Sequence, residues 1–205
     1  MSKPIQQAIK SRVSTNFYDP CHQIADDIIE ALVDQATRAP SAYNFQNWRF
    51  IAVRSPEGKA RLQAVAYGQK KVVDASVTFI ICGTLAAHEQ LARVLEPSVD
   101  AGIMDRQIVD DWVAQATRTH TDNPVLQRDE AIRSASLAAM TLMLAAEGMG
   151  LATGAMIGFD IEALSREFGL TATDVPAIVV TVGYPVAGNW PQKPRKPLNE
   201  VIEFV

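Results

Sequence analysis

Residues 129–147 place the strongest constraint on how this chain folds. Their apolar side chains cover almost the whole circumference of a helix. These side chains are Ala131, Ile132, Ala135, Leu137, Ala138, Ala139, Met140, Leu142, Met143, Leu144, Ala145 and Ala146. A helix that is apolar all round is buried all round. Because a chain of 205 residues has little material to cover every side, a second copy of the chain is an economical cover for one face.

The remaining pattern predicts a sheet surrounded by shorter helices. Runs rich in β-branched and aromatic residues predict strands at 48–53, 77–83, 155–158 and 177–183. The run 77–83 is almost entirely apolar, which favours burial on both faces of the sheet. Helices are predicted over 4–11, 24–38, 57–66, 70–75, 104–117 and 160–168. We therefore predict one α+β domain over residues 1–205, with a mainly antiparallel sheet wrapped by helices.

Composition narrows the possible functions. A net charge of −4 argues against a nucleic-acid partner. Cys21 and Cys82 lie far apart, and neither they nor the three histidines show a metal-binding spacing. No run is long and apolar enough for a membrane span, and the first residues lack the apolar centre of a signal peptide. These observations favour a protein of the reducing cytoplasm that binds no metal.

Residues 39–48 form the first candidate binding segment. Pro40 disfavours helix at Ala39 and so predicts the end of the preceding helix there. Ser41, Asn44 and Gln46 then offer hydroxyl and amide groups before a strand begins. Loops between rigid elements often carry binding sites, although these residues are also compatible with an ordinary polar loop.

Two cationic segments lie near opposite ends of the chain. Arg12 and Ser14 project to the same side of an extended segment, an arrangement that suits a phosphate. Lys193 and Arg195 lie in a proline-containing stretch that is basic within an acidic protein. A surface arginine beside a turn and a solvated tail are the alternatives for these two segments. The apolar residues 201–205 predict a strand-like end that docks, on the partner subunit or elsewhere.

Five segments in this order resemble the FMN-dependent nitroreductase family, whose members are small cytoplasmic homodimers with FMN at the subunit interface. Arg12-Val13-Ser14-Thr15 resembles the family's N-terminal phosphate segment. Pro40-Ser41-Ala42 with Asn44, Gln46 and Trp48 resembles its Pro-Ser-x-x-Asn-x-Gln-Pro-Trp loop. The segment 68–75 resembles the family segment that carries the lysine beside the flavin ring. Ile157-Gly158-Phe159 resembles the family's turn beside flavin N5. Lys193-Pro194-Arg195 resembles its C-terminal phosphate clamp.

The resemblance implies a nitroreductase-like fold, an intertwined homodimer and a set of FMN-binding residues. Arg12, Ser14, Lys193 and Arg195 would hold the phosphate, and Lys71 would stabilise negative charge on the flavin ring. Pro40, Ser41, Ala42 and Asn44 would approach the flavin from the other subunit, while the backbone of Ile157 or Gly158 would face N5. Val13, Asn16 and Gln69 complete the implied cofactor-binding set. No side chain of the protein is needed as an acid or base.

The resemblance also implies an activity. NAD(P)H would reduce FMN and leave, and a nitroaromatic, quinone or similar electron-poor acceptor would then use the same slot in a ping-pong mechanism. A dedicated flavin enzyme, such as a dehalogenase or a flavin-fragmenting enzyme, and a flavin-binding or sensory protein without turnover are the alternatives. Three positions depart from the family pattern: Asn16 lies where some members have a basic residue, Asn47 replaces proline before Trp48, and Ile157 stands where some relatives are acidic. Residues 85–128 carry the weakest resemblance.

Overall fold

A four-stranded antiparallel sheet organises the fold. The computed structural model describes residues 4–205. The strands are β1 (Trp48–Val53), β2 (Val77–Thr84), β3 (Ala152–Met156) and β4 (Asp174–Gly183). Their order across the sheet is β1-β2-β4-β3, and every neighbouring pair is antiparallel. The predicted sheet is thereby confirmed, although β3 begins and ends earlier than predicted.

Eight helices surround this sheet within the described part of the chain. They are α1 (Ile5–Ser11), α2 (Asp26–Ala36), α3 (Pro56–Val65), α4 (Lys71–Asp74), α5 (Leu91–Asp100), α6 (Arg106–His120), α7 (Pro124–Gly148) and α8 (Ile161–Glu167). Short 3-10 turns lie at Ala42–Asn44, Ala87–Gln90 and Leu198–Glu200. None of the helices that the structure describes is long and apolar enough to cross a membrane.

The two faces of the sheet bury two separate apolar clusters. Because side chains alternate along a strand, Phe79 and Ile81 of β2 pack with α2 and α7, whereas Ile80 and Cys82 pack on the side of α3 and α8. The prediction that β2 is buried on both faces is confirmed. Burial raises the pKa of the Cys82 thiol to about 12, which keeps this thiol protonated and unreactive at neutral pH.

Helix α7 lies against the sheet at close range. A Cβ on Gly83 would come within 2.0 Å of the Ala131 carbonyl oxygen, so only glycine permits this approach. Ala135, Ala139 and Leu142 are completely buried. Within one chain, however, Leu137 is 41% and Met140 is 39% exposed. These residues leave an apolar stripe on the single chain, and their burial by a second copy of the chain stays a prediction.

The N-terminal segment is held beside β3. Thr15 donates a backbone hydrogen bond of 2.9 Å to the Thr153 carbonyl, and Ser14 forms a parallel bridge with Thr153. A Cβ on Gly154 would lie 2.4 Å from the Thr15 carbonyl oxygen, so this contact also requires glycine. The pairing fixes the position of the neighbouring residues Arg12 and Val13.

Several predicted element boundaries are wrong for identifiable reasons. Helix α7 begins at Pro124 instead of 129 because Asn123 caps it, accepting a 3.1 Å hydrogen bond from the Leu126 N–H. Ile157 and Gly158, predicted as the end of the strand, lie in the turn after β3 ends at Met156. Helix α5 was not predicted, and its internal Pro97 conceals the helical pattern.

The weakly resembling stretch 85–128 is helical and has its own small core. Phe45 from the loop before β1 packs there with Leu91, Leu95, Val109 and Ala116. We call α5, α6 and the 3-10 turn at 87–90 the helical excursion. The last residues, 201–205, are exposed and form no strand in this chain, so the predicted strand-like end is wrong here, and docking on a partner stays a prediction.

Candidate functional site

The two cationic segments from opposite ends of the chain meet in one pocket. It has a volume of about 70 Å³. Its lining comprises Arg12, Val13, Ser14, Trp190, Pro191, Gln192, Lys193 and Arg195. The Gln192 side chain joins the two segments, because its Nε2 donates to the Arg12 carbonyl at 3.0 Å and its Oε1 accepts from Arg195 Nη2 at 2.9 Å. We call this the phosphate pocket.

The charges of the phosphate pocket suit an anion. Three of its lining side chains are cationic and none is acidic. Arg195 Nη1 donates to the Lys193 carbonyl at 2.8 Å, and Lys193 Nζ lies 4.7 Å from the centre of the Trp190 ring. These contacts hold the cations within the pocket without neutralising them. A phosphate dianion would gain charge-assisted hydrogen bonds from this arrangement.

The Asn189 side chain also bonds the N-terminal segment, at Asn16 and Phe17. Its Oδ1 accepts hydrogen bonds from the backbone N–H groups of Asn16 and Phe17 at 2.7 and 3.0 Å, and its Nδ2 donates to the Phe17 carbonyl at 2.9 Å. The sequence prediction missed Asn189 and Gln192. The position of Asn189 after Gly188 signals a turn, but no local pattern shows that its amide bonds the other end of the chain.

A second pocket lies along the continuation of the N-terminal segment. It measures about 230 Å³ and is lined by Asn16, Phe17, Gln69, Lys70 and Lys71. We call it the ring pocket. Lys70 is exposed and paired with Asp74 at 2.6 Å. Lys71 is half-buried and forms no ion pair among residues 4–205, and burial lowers the pKa of its amine.

Gln69 brings the turn after β3 beside this pocket. Its Nε2 donates to the Gly158 carbonyl at 2.9 Å and to the Ala66 carbonyl at 3.2 Å. A Cβ on Gly158 would lie 3.3 Å from Gln69 Nε2, which is close enough to strain this contact. Ile157 is 77% exposed at the same turn. Predicted residues from three distant segments therefore meet here.

Pro40, Ser41 and Ala42 lie elsewhere in the single chain. They line a mostly apolar groove of about 280 Å³ together with Glu130, Arg133, Ser134 and Leu137 of α7. We call it the loop groove. Asn44 is exposed and is not part of its lining. None of the residues of the loop groove lines the phosphate pocket or the ring pocket.

The loop has an unusual backbone conformation. Tyr43, Asn44 and Gln46 all have positive φ angles, of 51°, 57° and 50°. Such angles are uncommon outside glycine and persist only where surrounding contacts hold them. Ser41 Oγ accepts a 2.9 Å hydrogen bond from the Gln46 N–H, and the Tyr43 ring lies 6.0 Å from the Trp112 ring of α6.

The comparison with known proteins identifies the family. The profile of the nitroreductase family matches residues 9–184. The chain belongs to the nitroreductase family. The resemblance seen in the sequence, the fold class and the expectation of an oxidoreductase are therefore confirmed.

Relatives from several bacteria agree with this membership. YodC of Bacillus subtilis, named as an NAD(P)H nitroreductase, is 35% identical over 96% of this chain and 96% of its own length. Protein DrgA of Synechocystis is 30% identical over 86% of this chain and 81% of its own length.

Solved nitroreductase structures have the same fold. A protein of Exiguobacterium sibiricum, named as a nitroreductase and solved in complex with FMN, is 27% identical, covers 100% of this chain and 99% of its own, and superposes with a TM-score of 0.92. A protein of Staphylococcus epidermidis, named as an NAD(P)H:FMN oxidoreductase, is 25% identical, covers 100% and 98%, and has a TM-score of 0.93.

Two α7 residues of the loop groove were not singled out from the sequence. Ser134 and Leu137 line the loop groove, and Ser134 is 1% exposed with no hydrogen-bond partner for its Oγ among the described residues. A buried hydroxyl without a partner is costly unless a ligand or a second chain supplies one. The apolar pattern of α7 concealed this serine, because small polar residues are common in buried helices.

Proposed function

We propose that this protein is an FMN-dependent oxidoreductase that uses NAD(P)H to reduce nitroaromatic, quinone or similar electron-poor acceptors. One observation carries the proposal: cationic residues from both ends of the chain form a single phosphate pocket beside a ring pocket with a half-buried lysine. The family and its FMN-bound relative support the choice of cofactor.

The residues of the two pockets fit FMN. Arg12, Ser14, Lys193 and Arg195 would hold its phosphate, while Lys71 and Gln69 would contact the flavin ring. Val13 and Asn16 lie on the extended segment that connects the two pockets, so their backbone follows the same path as the cofactor. When bound, FMN accepts and donates hydride, and the protein supplies binding, orientation and polarity.

The polar contribution of the protein to hydride transfer lies in two groups. The ammonium of Lys71 would stabilise negative charge that develops on the flavin ring. Because desolvation disfavours the charged amine in the free protein, a negative flavin beside it would raise its pKa again. The backbone at Ile157 and Gly158, held by Gln69, would face the reacting edge of the flavin.

We also propose a homodimer in which Pro40, Ser41 and Ala42 approach the flavin of the partner subunit, with Asn44 lining the same interface. Within one chain the loop groove is separate from the ring pocket, so a second copy is needed to bring the two together. The exposed stripe of Leu137 and Met140 beside this groove offers the apolar surface that an interface requires. The free thiols Cys21 and Cys82 fit a reducing cytoplasm.

The test begins with the colour and the oligomeric state of the purified protein. We expect a yellow protein that releases one FMN per subunit on denaturation and that elutes as a dimer. Double-reciprocal plots of initial rate against NAD(P)H concentration, recorded at several quinone concentrations, should give parallel lines, because the two substrates alternate in one slot. Intersecting lines would contradict the ping-pong mechanism, and a colourless protein that does not take up added FMN would contradict the cofactor assignment.

A further inference from the structure

A small buried cavity lies between the loop before β1 and the helical excursion. Its volume of about 10 Å³ gives room for roughly one water molecule. Its lining comprises Phe45, Asn47, Thr84, Ala86, Ala87, His120, Gln127 and Glu130. Glu130 also lines the loop groove, so the cavity lies directly behind that surface.

His120 presents a hydrogen-bond acceptor to this cavity. Its Nδ1 lies 3.0 Å from the Ala116 carbonyl oxygen, which only accepts. The Thr119 hydroxyl also lies 2.9 Å from Nδ1, but it donates its own hydrogen to the Gln115 carbonyl at 3.0 Å. We therefore assign the ring hydrogen to Nδ1, which leaves Nε2 of the neutral ring as a bare acceptor. The residue is 4% exposed, and Nε2 has no hydrogen-bond partner among residues 4–205.

Asn47 presents a second acceptor. Its Nδ2 donates to the Thr84 carbonyl at 3.2 Å, which fixes the orientation of the amide. Its Oδ1 is buried and has no partner within the described chain. Two acceptors cannot bond each other, so a molecule with two hydrogens to donate is required to satisfy both.

We propose that a single water molecule binds in this cavity and donates one hydrogen bond to Asn47 Oδ1 and the other to His120 Nε2. The water joins the loop before β1 to α6 and thereby fastens the helical excursion to the segment that carries Pro40 and Ser41. Asn47 stands where the family pattern has proline, which has no side-chain acceptor. The inference is independent of FMN binding.

A proton on His120 Nε2 is the competing way to supply a donor. Glu130 is the charged residue that lines the cavity, and the His88 ring stacks on His120 at 5.8 Å. An imidazolium would donate directly to an oxygen, whereas the neutral ring needs the water. The protonation state of His120 therefore distinguishes the two explanations.

Nitrogen NMR of the ¹⁵N-histidine-labelled full-length protein at neutral pH makes this distinction. The chain has three histidines, so His22→Gln and His88→Gln assign the spectrum. We expect a neutral His120 ring that is protonated on Nδ1 and accepts a hydrogen bond at Nε2. We also expect nuclear Overhauser effects between its ring protons and a long-lived water. An imidazolium, a ring protonated on Nε2, or an Nε2 without a bound water would overturn the proposal.

Amide hydrogen exchange tests whether the water stabilises the packing of α6 against the loop before β1. His120→Phe keeps an aromatic ring but removes both nitrogens, whereas Asn47→Leu removes the amide. Each variant should speed exchange of α6 amides roughly fivefold or more. The double variant should exchange little faster than the more affected single variant, since both remove the same water. Gln107→Ala is the control, because it removes only a surface hydrogen bond to Asp111 on the same helix. Effects that multiply in the double variant would refute a shared water.

Discussion

At the scale of single residues, the phosphate pocket depends on Arg12 and Arg195, which lie near opposite ends of the chain. Neither arginine has a carboxylate partner in the pocket, and Gln192 holds them in place through one backbone and one side-chain contact. An arginine that is positioned but not neutralised is prepared for an anionic ligand.

Replacing either arginine should therefore weaken FMN binding. We expect Arg12→Ala and Arg195→Ala each to raise the Kd for FMN about 10- to 100-fold, because a charge-assisted hydrogen bond contributes about 1.5–3 kcal/mol. Quenching of FMN fluorescence on titration of the apoprotein measures this. Arg38→Ala is the matched control, since Arg38 is exposed and paired with Asp34 at 3.0 Å on α2. An unchanged Kd in both pocket variants would refute the phosphate assignment.

Asp174 is a carboxylate whose ionised form is stabilised in the folded protein. Burial alone would raise its pKa, but hydrogen bonds from the Thr171 N–H and hydroxyl and from Arg49 outweigh burial and hold the pKa below its usual range. The Arg49 Nη1 to Asp174 Oδ2 distance is 2.6 Å. A carboxyl with a lowered pKa in the folded state contributes stability above its unfolded pKa of about 3.9 and loses it as the pH falls through the folded pKa.

The variant Asp174→Asn should show this pH dependence. At pH 7 we expect its Tm to be lower than that of the wild type by roughly 2–4 °C, the shift that about 1 kcal/mol produces in a chain of this size. The difference should shrink as the pH falls below about 4, because the carboxyl of the unfolded wild-type chain then takes up a proton, and the difference disappears once the folded carboxyl is protonated as well. Calorimetry between pH 3 and pH 7 measures both. A difference that stays constant over this range would show that ionised Asp174 does not stabilise the fold.

At the scale of elements, α7 combines two roles along one helix. One face packs on the sheet so closely that Gly83 is required opposite Ala131. The opposite face leaves Leu137 and Met140 exposed beside the loop groove. Exposed apolar side chains next to a groove are typical of an interface.

A charge on this stripe should dissociate the proposed dimer. We expect Leu137→Glu to shift the protein to monomer at micromolar concentration, because a buried unpaired carboxylate is costly at an interface. Light scattering after size-exclusion chromatography measures the mass. Ile103→Glu, at a position that is 76% exposed before α6, controls for the added charge. A Leu137→Glu protein that remains dimeric would place the interface elsewhere.

At the scale of the whole molecule, the cofactor would connect the two ends of the chain across the sheet. The N-terminal segment reaches the phosphate pocket through its pairing with β3, and the C-terminal segment reaches it after β4. Beyond the pocket, Leu198, Ile202 and Phe204 remain exposed, which suggests that a second subunit covers them.

Ending the chain after Lys196 tests this role of the tail. The truncation keeps Lys193 and Arg195, so we expect FMN still to bind. Because it removes the exposed apolar residues, we expect the dimer dissociation constant to rise tenfold or more, which corresponds to a loss of about 1.4 kcal/mol of association free energy. Sedimentation velocity over a dilution series measures the dimer, with Phe204→Ser as a milder variant in the same direction. A dimer of unchanged affinity would show that the tail does not dock on the partner.

Local patterns were sufficient for elements whose residues carry their own signal. The apolar run of β2 and the mixed run of β1 predicted strands that the structure confirms over nearly the same residues. The helix predicted over 160–168 is found as α8, and the Asp160 side chain caps it by accepting from the Ala163 N–H at 2.9 Å. The start of α7 was predicted wrongly because the Asn123 cap lies before the apolar period begins, and α5 was missed because Pro97 interrupts its helical pattern.

The sequence by itself determined the strands, the central helix, the family and the identity of the cationic residues. The spacing of apolar side chains, the charges and the order of the motifs can all be read along the chain without knowing how it packs. Only the tertiary structure decided that Arg12 and Arg195 share a pocket, that Gln69 holds Gly158, and that Asn47 and His120 face one cavity. These contacts join residues far apart in the chain, and their formation depends on how the whole sheet and its helices pack.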